Sequence, residues 1–330
     1  MTVTIGRREL LAALGGAVAW PLAAWAQQPA MPVVGFLNPG SPIEWAHLVA
    51  AFKDGLAETG FIEGRNVAIE YRWGGDRHEP LPEMAADLVR RQVAVLASVG
   101  STVGALAAKA ATSSIPIVFV LGTDPVDTGL VTNLGRPDAN VTGVNLLSTL
   151  LSPKRQQLLH ELIPSAAAVA MLVNPSNASN QFELPEVEAA AAKIGQPVRM
   201  LNANTDDEID AAVATIVRER IGGLFVSADA FFTSRRQRLV LLTTRHAIPT
   251  IFPWREFVTA GALMSYGSDL RAAYRLGGSY VGQILKGAKP ADLPVQQATK
   301  VELVINLRAA KVLGISLPLS LLGRADEVIE

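Results

Sequence analysis

The sequence predicts an α/β protein with two Rossmann-like lobes, each built on a parallel sheet. From Pro32 onward, short apolar runs rich in β-branched residues alternate with longer, alanine-rich helical stretches. This order is typical of a parallel sheet with crossover helices. The predicted strands are almost entirely apolar, as expected when helices cover both faces of a sheet. After a stretch rich in Gly, Asn and Thr at residues 138–145, the alternation begins again, which indicates two lobes in tandem.

The first lobe follows this alternation without interruption. Strands are predicted at Val33–Leu37, Val67–Trp73, Val93–Val99 and Ile117–Leu121. Helices are predicted between them, at Glu44–Thr59, Leu81–Arg91 and Thr102–Thr112.

The second half repeats the scheme and adds a short tail. Strands are predicted at Val169–Val173, Val198–Asn202, Gly223–Ser227 and Pro249–Phe252, with helices at Phe182–Ile194, Asp206–Arg220 and Ser234–His246. The tail holds a strand at Ala262–Tyr266, a helix at Leu270–Lys286 and a proline-rich segment at Lys289–Pro294. These elements are too few to bury a core of their own. They must complete the two existing lobes, so we expect the chain to cross between them more than once.

Residues 1–26 have the pattern of an export signal. A pair of arginines precedes an apolar run from Leu10 to Ala24, and the segment ends small-x-small at Ala26. The run is shorter than the roughly 20 residues that cross a bilayer, so we expect cleavage after Ala26. The paired arginines indicate the twin-arginine route and a periplasmic protein. The alternative, an amphipathic helix packed on the domain, would need a polar face that the run lacks.

The composition excludes several classes of partner. Lysine plus arginine number 29 and aspartate plus glutamate 30, so no basic face for nucleic acid is expected. The chain contains no cysteine, which excludes disulfides, thiol catalysis and a lipid-modified N-terminal cysteine. After the export signal, the sequence contains no apolar run of about 18 residues that could span a membrane. We therefore expect a mature protein that is free in solution, as a monomer.

The common enzyme signatures do not occur in the sequence. There is no G-x-G-x-x-G after the first strand, no Walker loop and no G-x-S-x-G elbow, and Ser279 in GGSYVG lies within a predicted helix. Four histidines far apart in sequence give little support for a metal site: His47, His78, His160 and His246. We therefore expect no cofactor, no metal and no catalysis. A basic cluster is interpreted as the solvated face of a helix: Arg235, Arg236 and Arg238.

Ligands of open parallel sheets bind beyond the carboxyl ends of the strands, so the loops there hold the candidate residues. Ser101 and Thr102 open a helix directly after a strand, where hydroxyls and free N–H groups can hold a carboxylate. Alternatively, Ser101 is only an N-cap. Asp229 follows an apolar strand and can either receive an ammonium group or cap the next helix. Asn174 and Ser176 are similar candidates after an earlier strand.

Aromatic residues near predicted loop ends have two alternative roles. They can stack on a flat ligand, or they can pack in the core, which is the more common role for any single ring. The residues in question are Trp45, Trp73, Phe232, Trp254 and Tyr266.

Three segments carry a family resemblance. The segment IPIVFVLGTDPVDTGLVTNLGRPDANVTGV, residues 115–144, resembles the extracytoplasmic substrate-binding proteins of ABC importers in the tryptophan/tyrosine-binding-like group. GFIEGRNVAIEYRWGGD near the start and AGALMSYGSDL near the end extend the resemblance over the mature chain. It implies a type I periplasmic-binding-protein fold, in which two lobes joined by three hinge crossings close on a small ligand. At Asp138 the family more often shows glycine, so that turn is expected to differ.

The resemblance also implies lobe boundaries and site residues. The N-terminal lobe would comprise residues 32–146 and 268–292, and the C-terminal lobe residues 147–267 and 293–330. Ser101 with Thr102 would hold a ligand carboxylate, and Asp229 its ammonium group. The full set implied to face the cleft is Ser41, Ser101, Thr102, Thr123 and Asp124 from the first lobe, with Asn174, Asp229 and Tyr266 from the second.

The expected function is that of a receptor that captures a small carboxylate-bearing solute, an amino acid or an aromatic acid, and delivers it to an ABC permease in the inner membrane. One alternative is a ligand-sensing module for a membrane signalling protein, which the sequence does not distinguish from a transport receptor. A second alternative is an exported α/β hydrolase. The lack of cysteine and the scattered histidines argue against it, because a nucleophile needs a base within reach.

Overall fold

The computed structural model describes residues 31–137, 140–298 and 300–330. The predicted export signal at residues 1–26 and the departure at Asp138 lie outside these ranges. In chain order the elements are β1 Val33–Asn38, α1 Ala46–Glu58, β2 Ala68–Trp73, α2 Leu81–Arg90, β3 Val95–Val99, α3 Thr102–Ala111, β4 Ile117–Leu121, β5 Val141–Asn145, α4 Ser152–Leu162, β6 Val169–Val173, α5 Asn180–Ile194, β7 Val198–Asn202, α6 Asp206–Glu219, β8 Leu224–Val226, α7 Ala230–Ser234, α8 Arg236–Arg245, β9 Thr250–Phe252, α9 Arg255–Thr259, β10 Met264–Ser268, α10 Leu270–Leu285, a 3₁₀ turn Pro290–Asp292, β11 Gln296–Gln297, β12 Val301–Asn306, α11 Leu307–Val312, α12 Leu319–Leu322 and β13 Glu327–Ile329.

Six strands form the first sheet, in the order β11-β5-β4-β3-β1-β2. All neighbouring strands are parallel, and the register places Val34 beside Ile69 on one side and Val95 on the other. Every residue of β3, β4 and β5 is buried, as their apolar sequences predict for strands covered on both faces. The carboxyl ends of β1, β3 and β4 therefore meet at one edge of this sheet.

Seven strands form the second sheet, in the order β13-β12-β10-β9-β8-β6-β7. Its neighbours are parallel except for β10 and β12, which are antiparallel. Strand β12 begins at Val301 opposite Ser268, where β10 ends. The chain thus returns to this sheet at the point where it left, after passing through α10 and β11 of the first lobe.

The chain crosses between the sheets three times, after β5, after β10 and between β11 and β12. Ser268 lies where the crossings meet. Its hydroxyl is 2.8 Å from the carbonyl oxygen of Leu146 in the first crossing and 3.3 Å from that of Ala298 in the third. The Ser268 side chain therefore connects the three segments that cross between the lobes.

Arg155 on α4 fastens two of the crossings from the second lobe. Its guanidinium donates hydrogen bonds to the carbonyl oxygens of Ser148, at 2.8 Å, and Tyr266, at 3.2 Å. The Glu183 carboxylate lies 3.8 Å away and both side chains are buried. Burial lowers the pKa of Arg155 to about 10 and raises the pKa of Glu183 to about 7. Removal of either partner would leave an uncompensated polar group beside the hinge.

The last part of the chain completes both lobes, as expected. Helix α10 packs against α1 of the first lobe, and Gln296–Gln297 pairs with Val144–Asn145 at the edge of the first sheet. Residues 293–298 therefore lie against the first sheet, although the expected boundary placed residue 293 in the second lobe. Strands β12 and β13 belong to the second sheet. Within the described ranges, no helix is long and apolar enough to cross a membrane.

The structure contains several elements that the sequence pattern did not predict, among them α4, β5 and β12. The Gly/Asn/Thr-rich stretch at residues 138–145 contains β5. A Cβ at Gly143 would collide with the carbonyl oxygen of Phe119 on β4, so a composition typical of loops is here imposed by close approach within a sheet. The helix expected at Ser234–His246 is confirmed as α8, Arg236–Arg245, and the short helix α7 precedes it.

Helices α1 and α10 approach each other closely through glycines. A Cβ at Gly55 would collide with the carbonyl oxygen of Arg275, and one at Gly278 with the carbonyl oxygen of Phe52. Because each glycine meets the backbone of the other helix, no side-chain rotation can relieve the contact. The two helices thus depend on glycine to cover the first sheet together.

We expect Gly278→Ala to lower the free energy of unfolding by about 1–3 kcal/mol, because the added methyl group overpacks the α1–α10 contact. Gly135→Ala is the matched control, since a Cβ there meets only the Asn133 side chain, at 3.4 Å. Urea unfolding followed by circular dichroism measures both variants. An unchanged midpoint for Gly278→Ala would contradict the close packing.

Candidate functional site

A cavity lies between the two lobes, at the carboxyl ends of strands from both sheets. Gly100 and Gly122 follow β3 and β4 on one side, and Ala228 follows β8 on the other. This is the location expected for a ligand in α/β folds. The walls are formed by Trp45, His78, Gly100, Ser101, Thr102, Leu121, Gly122, Leu146, Ser148, Leu270 and Tyr274, and opposite them by Asn177, Ser179, Ala228, Asp229, Ala230, Thr233 and Trp254.

Ser101 and Thr102 open α3 at the cavity. The Ser101 hydroxyl accepts the backbone N–H of Gly104 at 3.1 Å, so the N-cap is present, and both side chains also line the cavity. The preceding Gly100 has a φ of 84°, and a Cβ there would meet the Tyr274 hydroxyl at 2.9 Å. Glycine at this turn therefore lets the N-terminus of α3, the positive end of its dipole, face the cavity.

Asp229 lies opposite, directly before α7, with a fully buried carboxylate. It accepts the Phe231 backbone N–H at 2.8 Å, the Asn174 amide at 2.9 Å and the Asn177 amide at 2.8 Å. The helix cap is thus present, and Asp229 also lines the cavity. Burial raises the pKa of a carboxyl group, but the His78, Asn174 and Phe231 donors outweigh it and hold the pKa of Asp229 below its ordinary value.

His78 joins the two lobes. Its Nδ1 lies 3.1 Å from the Ser101 hydroxyl, and its Nε2 lies 3.1 Å from the Asp229 carboxylate. Burial disfavours the protonated ring, but the hydrogen bond and charge of Asp229, with the charge of Glu79, raise the pKa of His78 above its ordinary value. From the sequence, His78 was considered only as a metal ligand, for which there was little support. Its signal was its place in the loop at the carboxyl end of β2.

Three hydroxyls form a second link between the lobes. Thr102 Oγ1 lies 3.1 Å from the hydroxyls of both Thr123 and Ser179, and Thr123 donates to Ser179 at 2.6 Å. Thr102 and Thr123 follow strands of the first sheet, whereas Ser179 precedes α5 in the second lobe. Ser179 and Asn177 were missed from the sequence, although both lie in the loop after β6 that begins at Asn174.

Aromatic rings face the cavity from both lobes. Trp45 comes from the first lobe and Trp254 from the second. The Trp45 indole N–H donates to the Ser234 hydroxyl across the cleft at 3.1 Å. Its ring centroid lies 6.0 Å from that of Tyr274, which was not predicted from the sequence. The other rings pack elsewhere: Trp73 against Tyr71, Phe232 in the larger core and Tyr266 in the core of the second lobe.

Some of the expected site residues do not line the cavity. The Ser41 carbonyl accepts the backbone N–H of Trp45 at 3.2 Å. The Asp124 carboxylate accepts the N–H of Val126 in its own turn at 2.7 Å. The structure therefore brings together Ser101, Thr102 and Asp229, attaches Thr123 and Asn174 to them by hydrogen bonds, and places Ser41, Asp124 and Tyr266 outside the walls. In the described ranges, no three His, Asp or Glu side chains are grouped to hold a metal ion.

The basic cluster lies at the rim of the cleft, and the interpretation as a solvated face is wrong for two of its members. Arg235 forms an ion pair with Asp76 of the first lobe, and Arg236 pairs with Glu44 of the first lobe at 2.9 Å. The sequence could not show this, because Asp76 lies 159 residues from Arg235. The third member, Arg238, pairs with Asp210 in its own lobe.

Known proteins that resemble this chain include a tyrosine-binding protein and two proteins of solved structure. A tyrosine-binding protein of Clostridioides difficile (strain R20291) is 27% identical over 262 residues, which is 79% of this chain and 75% of that protein. The ABC domain from Streptococcus pneumonia in complex with L-Trp is 27% identical, with a TM-score of 0.80, over 90% of this chain and 99% of that one. A conserved domain protein from Vibrio cholerae is 28% identical, with a TM-score of 0.81, over the same shares.

A family match over most of the chain shows to which family the chain belongs. Residues 44–329 match the family described as ABC transporter substrate binding protein. The fold agrees, since the two lobes and their mostly parallel sheets are those of type I periplasmic binding proteins. The chain therefore belongs to the ABC transporter substrate-binding protein family, whose members bind small molecules outside the cytoplasm and deliver them to a permease.

Proposed function

We propose that the protein is a periplasmic receptor that binds an aromatic amino acid between its lobes and delivers it to an ABC permease in the inner membrane. The observation that carries this proposal is the composition of the cavity. Tryptophans from opposite lobes share it with a helix N-terminus and a buried carboxylate. The protein acts by binding, as a monomer and without catalysis.

The N-terminus of α3 suits the ligand carboxylate. The first N–H groups of a helix have no partner within it, and the positive end of the helix dipole favours an anion. The hydroxyls of Ser101 and Thr102 stand at the same point, and each residue is only 5% exposed. A carboxylate bound there would be well shielded from water, where such contacts are strongest.

The aromatic walls suit a flat ligand side chain. Trp45 and Trp254 are 4% and 5% exposed, and Tyr274 completes the ring-lined part of the cavity. Aromatic rings prefer offset or edge-to-face contact with other rings. Two relatives support this ligand class, since one is a tyrosine-binding protein and another was solved with L-Trp.

Asp229 supplies negative charge for the ligand ammonium group. It is the only carboxylate among the described residues that line the cavity. Its oxygens already accept hydrogen bonds from His78, Asn174 and Asn177, so it acts mainly through its field, which is strong in a buried site. The carboxylate stays ionised there because its donors stabilise the charged form.

Ligand binding shifts the hinge towards the closed form. A ligand that touches both lobes binds this form better, and only such a difference in affinity moves the equilibrium. The proposed rigid bodies are residues 32–146 with 268–292, and residues 147–267 with 293–330, except that residues 293–298 move with the first sheet. The proposed export route is the twin-arginine pathway, with residues 1–26 removed.

We expect L-Trp or L-Tyr to bind the mature protein, residues 27–330, and to raise its melting temperature, because a ligand specific for the folded state stabilises it by mass action. Isothermal titration calorimetry measures the affinity. Indole-3-propionate tests the ammonium group and L-Leu tests the ring, and both should bind more weakly. Tighter binding of a sugar than of any amino acid would contradict the proposal.

We expect Ser101→Gly to weaken amino-acid binding about tenfold, because one charge-assisted hydrogen bond to the carboxylate is lost. Glycine is also an acceptable N-cap and costs helix stability only a few tenths of a kcal/mol. Thr205→Gly is the matched control, since Thr205 caps α6 in the same way outside the cavity. Equal affinities of the two variants in calorimetry would remove Ser101 from the site.

We expect ligand affinity to fall several-fold as the pH rises from mildly acidic to alkaline. In this structure, His78 contacts Asp229 of the other lobe and its pKa is raised, so contact between the lobes gains stability below the ordinary histidine pKa and loses it as the pH rises through the raised value. The lowered pKa of Asp229 acts oppositely, and its contribution is lost only as the pH falls through that lowered value. Titrations across the pH range measure both effects.

His78→Gln should remove the dependence above neutral pH, whereas His246→Gln, which replaces an exposed histidine, should keep it. An affinity independent of pH in the wild-type protein would contradict this role of His78.

A further inference from the structure

The loop of residues 74–79, here called the clasp loop, is held rigidly at the mouth of the cleft. It leaves β2 and is fixed to the loop after β1 by three backbone hydrogen bonds. Gly74 donates to the Asn38 carbonyl at 2.8 Å, and Asp76 donates to the Pro39 carbonyl at 2.7 Å. The third, from Gly75 to Gly40, is 3.0 Å long. Asp76 itself has a φ of 66°, a conformation that costs free energy in a residue other than glycine and often marks a functional constraint.

This backbone aims the Asp76 side chain at the second lobe. Its carboxylate accepts the Ser234 hydroxyl at 2.6 Å and forms an ion pair with Arg235. Only 12% of the Asp76 side chain and 28% of the Arg235 side chain are exposed. The pair therefore joins the two lobes in a partly buried setting, where charge interactions are screened less than at an open surface.

Arg235 is held in place by its own lobe before it meets Asp76. Its Nε donates to the Asp206 carboxylate at 3.0 Å, and its guanidinium carbon lies 4.7 Å from the centroid of the Phe231 ring. Less side-chain entropy is lost on pairing when one partner is already fixed. Both the clasp loop and the Arg235 side chain are therefore ordered before they pair.

Neither Asp76 nor Arg235 is among the described residues that line the cavity. Their ion pair can form only when the lobes are together, so it stabilises the closed form with or without a ligand contact. We propose that Asp76 and Arg235 are positioning residues, which set the closed population of the receptor and through it the ligand affinity. This rests on the proposed function, because an affinity for a small molecule is what the pair adjusts.

The expected change in ligand affinity follows from the fraction of the receptor that is in the closed form. A receptor whose competent form is only partly populated loses apparent affinity in proportion to that fraction. Partly exposed ion pairs change such equilibria roughly two- to fivefold. The neighbouring contacts between Arg236 and Glu44 and between Trp45 and Ser234 should keep the lobes able to close when the Asp76 charge is removed.

The test compares a carboxylate that pairs across the cleft with one that pairs inside a single lobe. Asp76→Asn removes the charge that crosses the cleft, and asparagine tolerates the left-handed backbone of this position. Glu327→Gln is the matched control, because Glu327 pairs with Arg255 inside the second lobe at 2.7 Å. The cysteine-free chain allows a fluorophore pair on Ile43→Cys and Ala211→Cys, one exposed position in each lobe. Single-molecule energy transfer then reports the closed fraction, and calorimetry with L-Trp or L-Tyr reports the affinity.

We expect Asp76→Asn to lower the closed fraction of the ligand-free protein and to weaken ligand binding by roughly two- to fivefold. Glu327→Gln should leave both close to the wild-type values. The difference should shrink at about 1 M salt, where the Debye length is about 3 Å. Equal closed fractions in Asp76→Asn and the wild-type protein would overturn the inference, as would the absence of a closed population in the ligand-free wild type. If no amino acid binds the wild type, the proposed function fails, while the closed fractions still decide the role of the pair.

Discussion

The buried carboxylate of Asp229 is the constraint on which the geometry of the cleft depends. An ionised group away from water is stable only when it is paired and hydrogen-bonded. The second lobe provides donors from the start of α7 and from the loop after β6, where Asn174 and Asn177 reach the same carboxylate. The first lobe provides His78. The charge thus orders two loops within one lobe, and its last partner comes only from the opposite lobe.

The hinge and the cleft are connected through the same few segments. Tyr266 accepts a hydrogen bond from Arg155 through its carbonyl oxygen, and two residues later Ser268 contacts the other crossings. In the first crossing, Ser148 both lines the cavity and accepts a hydrogen bond from Arg155. A movement of the lobes therefore changes the cavity wall directly, because the hinge is part of that wall.

Most strands could be predicted from sequence because a parallel sheet covered on both faces needs nearly continuous apolar residues. Strand β5 escaped prediction because contact with β4 requires Gly143. In the site, Ser101, Thr102 and Asp229 could be found, since strand ends and helix starts are visible in sequence. His78 and Ser179 could not be assigned partners, because their hydrogen bonds join residues 151 and 77 positions apart in opposite lobes. Arg235 was wrongly interpreted as part of a solvated face for the same reason, because its partner Asp76 lies 159 residues away in the other lobe.

The packing of α10 on α1 bears on the order in which the protein can be assembled. Helix α10 ends at Leu285 and β11 at Gln297, so the first sheet lacks a covering helix and an edge strand until most of the chain has been made. Its apolar strands lack their full cover until then, because domains fold as units once their parts are present. Folding of the first lobe therefore depends on synthesis of nearly the whole chain, although most of its residues come first.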